Sequence, residues 1–439
     1  MEAHANSVDD VLVDGLSYKL KNSAKYVVDR KSVTFHPSGS NIYRTAAGTK
    51  VLKINLTGDA WLIPESVRIM YTLKNNDADA AKVLRPLSGP WSFWRRMRVL
   101  CGGQVIEDFD YNRVHEMMSH FHSDDARDNE DVEGFGYRYD NAENLALAAG
   151  TLASLPGIAG GSSRRVSFKP LSGLLSQAKW LPIRYAPIQI ELELVNGATD
   201  AIVDPAAAGF LAADTSVDWQ IEDCQLKCDL ATLDNAVDNQ IADHLLSGKP
   251  LPINYQTFIS QSTTVGDGGK FSVNVSRAVT RLSRVYMTLD GPANAESRSK
   301  EWNSFFHPMA SGVYNPQLEF QYQVQIGSKL FPEYPVESLA EAFAALKKTA
   351  KDTKSDFHAL RIGAKSYAKD KFIMATTTSK VNDAGFTGLN TRSGDLMTIK
   401  ASVSQGTATP VGNKPTGLFT VLESDQILEI RDTGVSVFD

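Results

Sequence analysis

Cysteine is scarce in this chain, with three in 439 residues. That is too few for a disulfide framework, so a reducing compartment is expected. Cys224 and Cys228 flank Leu226 at one parity of a predicted strand, and two small hydrophobes in a core explain them better than a redox pair. Long apolar runs are missing as well. Asp9, Asp10 and Asp14 interrupt the one N-terminal stretch that resembles a signal peptide, and no uninterrupted apolar segment approaches the length of a membrane span. The sequons at Asn55 and Asn274 therefore carry no expected meaning. Surplus positive charge is absent too: a formal charge of -6 excludes a protein that coats nucleic acid by overall basicity, though not a local basic face.

Active-site motifs are also lacking. His115-Glu-Met-Met-Ser-His120 has one residue too many for HExxH, so on a helix its two histidines sit about 140° apart and cannot share an ion. His120 and His122 with Asp124 or Asp125 remain a metal candidate, weaker than the reading as polar helix-end residues. Asp124 to Glu133 is strongly acidic but lacks the glycine and the regular spacing of a calcium loop, so a solvated, mobile surface loop is expected. Gly266-Asp-Gly-Gly-Lys270 fails the phosphate-loop spacing, has Phe271 at the Ser/Thr position and lies between two strands, as a hairpin turn does. No GxSxG elbow occurs, and no cysteine has a nucleophile's context.

Two basic runs, Arg95-Arg96 with Arg98 and Lys347-Lys348 with Lys351 and Lys354, could meet nucleic acid or an acidic neighbour. A charge-guarded edge strand and a solvated helix end are the preferred readings. Trp91, Phe93 and Trp94 suit a core or a subunit contact better than a sugar platform.

What is present is a composition ordinary for a globular protein, 42% hydrophobic and 22% charged, and a pattern written twice. Phe93 to Phe121 reads as strand, Gly102-Gly103 turn, strand and amphipathic helix; Leu318 to Leu346 reads the same way around Gly327-Ser328. At the spacing from Gly102 to Gly327, Val99 falls on Val324, Ile106 on Phe331, Glu116 on Glu341 and Met118 on Phe343. Upstream, Val67 to Leu73 matches Ser283 to Leu289.

Further strands are predicted at Lys25–Asp29, Ser32–Phe35, Val51–Leu56, Arg165–Lys169, Pro187–Leu194 and Val217–Leu230. In the second half they fall at Ile253–Gln261, Lys270–Val275, Leu282–Leu289, Leu318–Ile326, Lys329–Phe331, Phe372–Thr377, Leu396–Ser404 and Leu418–Ile430. In the Pro187–Leu194 strand, Ile188, Ile190, Leu192 and Leu194 should face inward and Gln189, Glu191 and Glu193 outward. Helices are predicted near 111–122, at Ser172–Leu175, at Asn235–Leu246 and at Val336–Lys348, the last burying Leu339, Ala342, Phe343 and Leu346.

About eight strands per unit, with a helix and long loops at a fixed point, specify an all-β chain of two tandem eight-stranded jelly rolls with short helices in the loops. The expected division is an N-terminal arm at 1–22, a first jelly roll at 23–233, a connector helix at 234–250 and a second jelly roll at 251–439.

Three stretches carry a family resemblance. They are Phe168-Lys-Pro-Leu-Ser-Gly-Leu-Leu with Trp180-Leu-Pro-Ile-Arg-Tyr-Ala-Pro-Ile-Gln-Ile-Glu-Leu-Glu-Leu, the loop Phe386-Thr-Gly-Leu-Asn-Thr-Arg-Ser-Gly-Asp-Leu, and the closing Ile427-Leu-Glu-Ile-Arg-Asp-Thr-Gly-Val. In order and over nearly the whole chain, the sequence resembles the double jelly-roll major capsid proteins of tailless double-stranded DNA viruses, most of all the polinton-like virus and virophage type. Met374-Ala-Thr-Thr-Thr-Ser departs from that pattern in being more polar.

The resemblance implies a structural subunit with no enzymatic activity. Three chains would form a pseudo-hexagonal capsomer, and capsomers an icosahedral shell around a DNA genome. The implied partners are further copies of the chain, neighbouring capsomers, penton and minor capsid proteins, and a weak interior contact with viral DNA. No small-molecule substrate, cofactor, metal or catalytic residue is implied. The protein would be made in the host cell interior and work in the virion. Loops 74–92, 123–163 and 291–316 would crown the trimer, with the arm and the C-terminal tail facing inward. The rival readings are a carbohydrate-binding, lectin-like tandem β-sandwich, which needs an exposed aromatic row, and a cupin or glycosidase, which needs clustered His and Glu.

Overall fold

A computed structural model describes residues 26–46, 50–137, 157–203, 214–266, 270–291, 303, 305, 320–350, 360, 362, 364–367, 371–381, 385–392, 396–403 and 415–439. The predicted arm at 1–22, most of the loop 291–316 and the basic residues Lys351 and Lys354 lie outside these residues.

The alternating runs of the first half form β1 (Val27–Phe35), β2 (Val51–Leu56), β3 (Trp61–Asn75), β4 (Trp94–Cys101), β5 (Gln104–Asp110), β6 (Ser163–Phe168), β7 (Ile188–Leu194) and β8 (Trp219–Leu233). They pair in two sheets, ordered β1-β8-β3-β6 and β2-β7-β4-β5, with every pairing antiparallel. The second half forms β9 (Leu251–Thr264), β10 (Lys270–Val275), β11 (Leu282–Asp290), β12 (Phe320–Ile326), β13 (Lys329–Val336), β14 (Ile373–Thr377), β15 (Met397–Val403) and β16 (Gly417–Arg431). Their order is β9-β16-β11-β14 and β10-β15-β12-β13, the same wrap with each strand number raised by eight. This is the jelly-roll order, and the chain contains it twice.

Alternation explains the cores. Leu52, Ile54 and Leu56 of β2 and Ile188, Ile190, Leu192 and Leu194 of β7 are buried, so their sheet presents one apolar face inward. The matched stretches superpose in burial: Ile69, Tyr71 and Leu73 are buried as Val285, Met287 and Leu289 are. The hairpin turns agree more closely still. Gly102 and Gly327 have φ of 55° and 59°, a conformation that favours glycine. Each donates its amide to the residue before the next sheet neighbour, Gly102 to Pro187 O at 2.9 Å and Gly327 to Leu396 O at 3.2 Å.

The constant spacing ends after these turns. Two residues of β5, from Glu107 to Phe109, span the same pairing step as five residues of β13, from Phe331 to Val336. The helices are therefore offset: α1 (Tyr111–Ser119) holds Glu116 buried, whereas Glu341 lies in the first turn of α5 (Leu339–Thr349) and accepts the Glu337 amide. Between them in the chain come α2 (Asp124–Glu133), the short α3 (Gly173–Ser176) and the linking α4 (Asn235–Leu246), and after them α6 (Ala364–Tyr367).

Four expectations need correction. The acidic segment 124–133 is the helix α2 rather than a loop. Ser123 caps it by accepting the Ala126 amide at 3.4 Å, and buried Arg127 ties it inward through the Ser119 hydroxyl at 2.9 Å. The strand bearing Arg95, Arg96 and Arg98 is not an edge, because β4 lies between β7 and β5. Its arginines are held by cross-strand carboxylates: Arg96 to Asp108 at 2.6 Å, Arg98 to Glu191 at 3.3 Å and Arg95 to Glu193 at 3.7 Å. Residues 27–35, expected as two strands, form one. The C-terminal residues are not a free tail: β17 (Gly434–Phe438) turns back and pairs with β16.

Candidate functional site

Glu116, His120 and their neighbours hold loops together. Glu116 Oε2 accepts hydrogen bonds from Ser88 Oγ at 2.5 Å and Trp91 Nε1 at 3.1 Å, and its Oε1 lies 3.5 Å from His120 Nε2. The other ring nitrogen of His120 lies 3.0 Å from an Arg127 nitrogen. Trp91 stacks on His115 with ring centres 4.1 Å apart. His122 is elsewhere, 2.9 Å from Glu130. The two histidines thus face different partners, and among the described residues no three His, Cys, Asp or Glu side chains are grouped to hold a metal. Trp91, Phe93 and Trp94 are all buried, so they form no exposed aromatic row. Burial pushes the Cys101 and Cys228 thiols up to about 12 and the Cys224 thiol higher still, which keeps them protonated and inert. Lys347 and Lys348 close the last turn of α5, where cations suit the carbonyl end of a helix. No described helix is long and apolar enough to cross a membrane.

Loops cluster at the end of the first barrel where β3 stops. Asn75, fully buried, is their hub. Its amide group donates to Lys82 O at 3.0 Å and Ile158 O at 2.9 Å, while its carbonyl accepts from Ser216 Oγ at 2.7 Å. Single bridges add Leu84 to Ile158, Val83 to Thr215 and Pro86 to Ile202. The described parts of loops 74–92 and 123–163 are therefore knitted into one cap with Ile202, Thr215 and Ser216.

A further polar arrangement lies at the seam between the barrels, and the sequence reading missed it. Here β5 of the first barrel lies against β9 of the second. The Asp110 amide donates to Ser260 Oγ at 3.0 Å, and that hydroxyl donates back to Asp110 Oδ2 at 3.1 Å. Phe109 meets Phe258 edge-on at 6.0 Å. From the start of α1, Arg113 reaches into the second barrel. It donates to Thr288 Oγ1 at 3.0 Å and to the Asp290 carboxylate, with its guanidinium 4.2 Å from the centre of the Phe419 ring.

Two glycines permit the close approach. A methyl group on Gly173 would lie 1.5 Å from Gln256 O, and one on Gly102 would lie 2.5 Å from Val435 of β17. Lys179 Nζ completes the seam by donating to Pro252 O at 2.8 Å.

Glu107 sits at the centre of this seam, only 2% exposed. It accepts from Ser172 Oγ and, at 2.7 Å, from the Gly173 amide, with the Thr257 hydroxyl of the second barrel also bearing on it. Burial pushes its carboxyl up to about 7, against the downward pull of those hydrogen bonds. Beside the seam a cleft of ≈ 340 Å³ is lined by Arg96, Asp108, Phe258, Ser260, Arg277 and Gln426. Two of its charges, Arg96 and Asp108, are already paired, and the Ser260 hydroxyl in its wall is engaged with Asp110. Such an arrangement holds β5 of the first barrel against β9 of the second.

Comparison with solved structures identifies the architecture. The chain superposes on VP54 of PBCV-1, as fitted into a reconstruction of the virophage Sputnik, with a TM-score of 0.62 at 10% identity, covering 96% of this chain and 98% of that one. The chain has the double jelly-roll fold. The Sputnik virophage structure at 3.5 Å gives 0.58 at 11% identity, covering 96% and 90%, and the Faustovirus major capsid protein gives 0.56 at 9% identity, covering 96% and 94%. No model of a known protein family matches the sequence, and no curated protein matches it. The likeness therefore lives in the double jelly-roll wrap and not in shared residues.

Proposed function

We propose that this chain is a major capsid protein, a non-enzymatic structural subunit whose two jelly rolls, 23–233 and 251–439 joined by 234–250, act as two of six barrels in a homotrimeric capsomer. Capsomers of this kind would tile an icosahedral shell around a DNA genome, beside penton and minor capsid proteins. The observation that carries the reading is the buried seam between two barrels of identical strand order. A protein that needed one binding face per barrel would gain nothing from locking them together, whereas a subunit that mimics sixfold packing with three chains needs that lock. The solved structures that share the architecture point the same way, since they include a Faustovirus major capsid protein and the PBCV-1 virus capsid.

Purified protein tests this directly. Mass photometry should give a species of three chain masses, and negative-stain images should show particles of hexagonal outline. A monomer at micromolar concentration with no such outline would overturn the reading.

A further inference from the structure

We infer that β17 is a strap across the seam, able to lift from the first barrel while both barrels stay folded.

The two barrels complete the same sheet differently. In the first, β3 runs along β8 as one strand, from Asn75 opposite Trp219 to Trp61 opposite Ala231. In the second, β11 accompanies β16 only from Gly417 to Ser424, and β17 takes over that side from Ile427 to Arg431. The opposite edge of β16 is held throughout by β9, from Thr264 on Gly417 to Leu251 on Ile430. Losing β17 therefore leaves β16 in its sheet.

Little holds β17 down. Five residue pairs join it to β16, and among the described strands it pairs with no other. Of its residues Val435 alone is buried, while Phe438 is 46% exposed. The Asp439 carboxylate accepts from Gln426 and Arg392, but the Arg392 side chain is 56% exposed, and an ion pair so open to water contributes little. Segments with few buried contacts open at a fraction of the cost of unfolding the whole.

The contacts that β17 does make reach across the seam. Val435 sits against Gly102, in the turn between β4 and β5 of the first barrel. Gln426, which holds Asp439, also accepts from the Tyr255 hydroxyl of β9 at 2.6 Å and lines the cleft beside the seam. Closing the strap fixes the Gly102 turn and this wall of the cleft together. Lifting it releases both, so the seam gains a way to loosen that melts neither barrel.

Hydrogen exchange on the full chain tests this. Amides of 434–438 should exchange roughly a hundredfold or more faster than those joining β9 to β16. Glu429 and Ser436 stand directly opposite each other, so a disulfide in the double variant Glu429→Cys with Ser436→Cys would pin the strap. Its oxidation should slow exchange at 434–438 to the rate of the β9–β16 amides, and reduction should restore it; the three natural cysteines are buried and take no part. Val435→Asp should open the strap. The Gly102 amide, bonded to Pro187 O, should then exchange about tenfold faster, with a melting temperature changed by less than about 3 °C. A wild-type β17 that exchanges as slowly as the β9–β16 amides would overturn the inference. So would a Val435→Asp chain that unfolds its second barrel or keeps the Gly102 amide fully protected. None of these outcomes depends on whether chains associate.

Discussion

Glu107 shows how a single residue can set the pH range of a junction. Its carboxyl titrates near 7 in the fold against an ordinary 4.5, because burial disfavours the charge. The folded state therefore holds this proton more tightly than the unfolded chain does. Between those two values stability falls as pH rises, and above about 7 the loss is complete. The shift corresponds to about 3 kcal/mol. Glu107→Gln keeps an acceptor for Ser172 and Gly173 but cannot ionise. Urea unfolding at pH 5 and pH 8 should show the wild type losing that amount relative to the variant, and an equal pH response in both would refute the assignment. Nothing in the sequence flagged this residue. Glu107 sits in an ordinary alternating strand, and a bulge at Ile106 in β5 itself, where Val105 pairs with Leu100 and Glu107 already with Val99, puts Ile106 and Glu107 both inside. Period-two reasoning cannot anticipate two consecutive inward residues. The inward face of β7 was legible for the opposite reason, since no bulge interrupts its stretch from Ile188 to Leu192.

At the scale of elements, α1 joins the barrels through one buried ion pair. Arg113 and Asp290 are each 7% exposed, so losing one partner strands the other's charge away from water. Arg113→Met should cost about 3–5 kcal/mol, and the double change Arg113→Met with Asp290→Leu should recover most of it. Thermal unfolding of the three proteins checks this; a double variant as unstable as the single one would show that the pair acts by some other route. The sequence placed this helix correctly but could not say what it crosses to, because the contact joins residues 177 positions apart. The same limit explains the misread basic strand. Arg95, Arg96 and Arg98 resemble an edge guard until β5 and β7 supply Asp108, Glu191 and Glu193 from either side. Helix α2 was misread for a local reason: its acidity suggested a solvated loop, yet a Ser123 cap and one inward arginine suffice to order it.

At the scale of the molecule, duplication was legible because turns and core positions are local features that both copies retain. The seam was not, because its contacts join residues 150 and 177 positions apart. If that seam is what makes two barrels one body, the covalent link between them should be dispensable once folding is complete. Helix α4 is the place to cut: of its twelve residues only Leu245 is buried, so a protease site there disturbs no core. The seam retains Arg113 with Asp290, Phe109 with Phe258, Asp110 with Ser260, and Gly102 seated against Val435. After complete cleavage under native conditions, the two fragments should co-elute from a sizing column at the position of the intact protein and separate only in denaturant. The chain pairs β1 with β8 and β9 with β16 within each half, so each fragment keeps its own sheets and has no reason to unfold when the link is cut. Fragments that part at once would mean that the connector, and not the seam, aligns the barrels, and a capsomer built on that alignment would lose its physical basis.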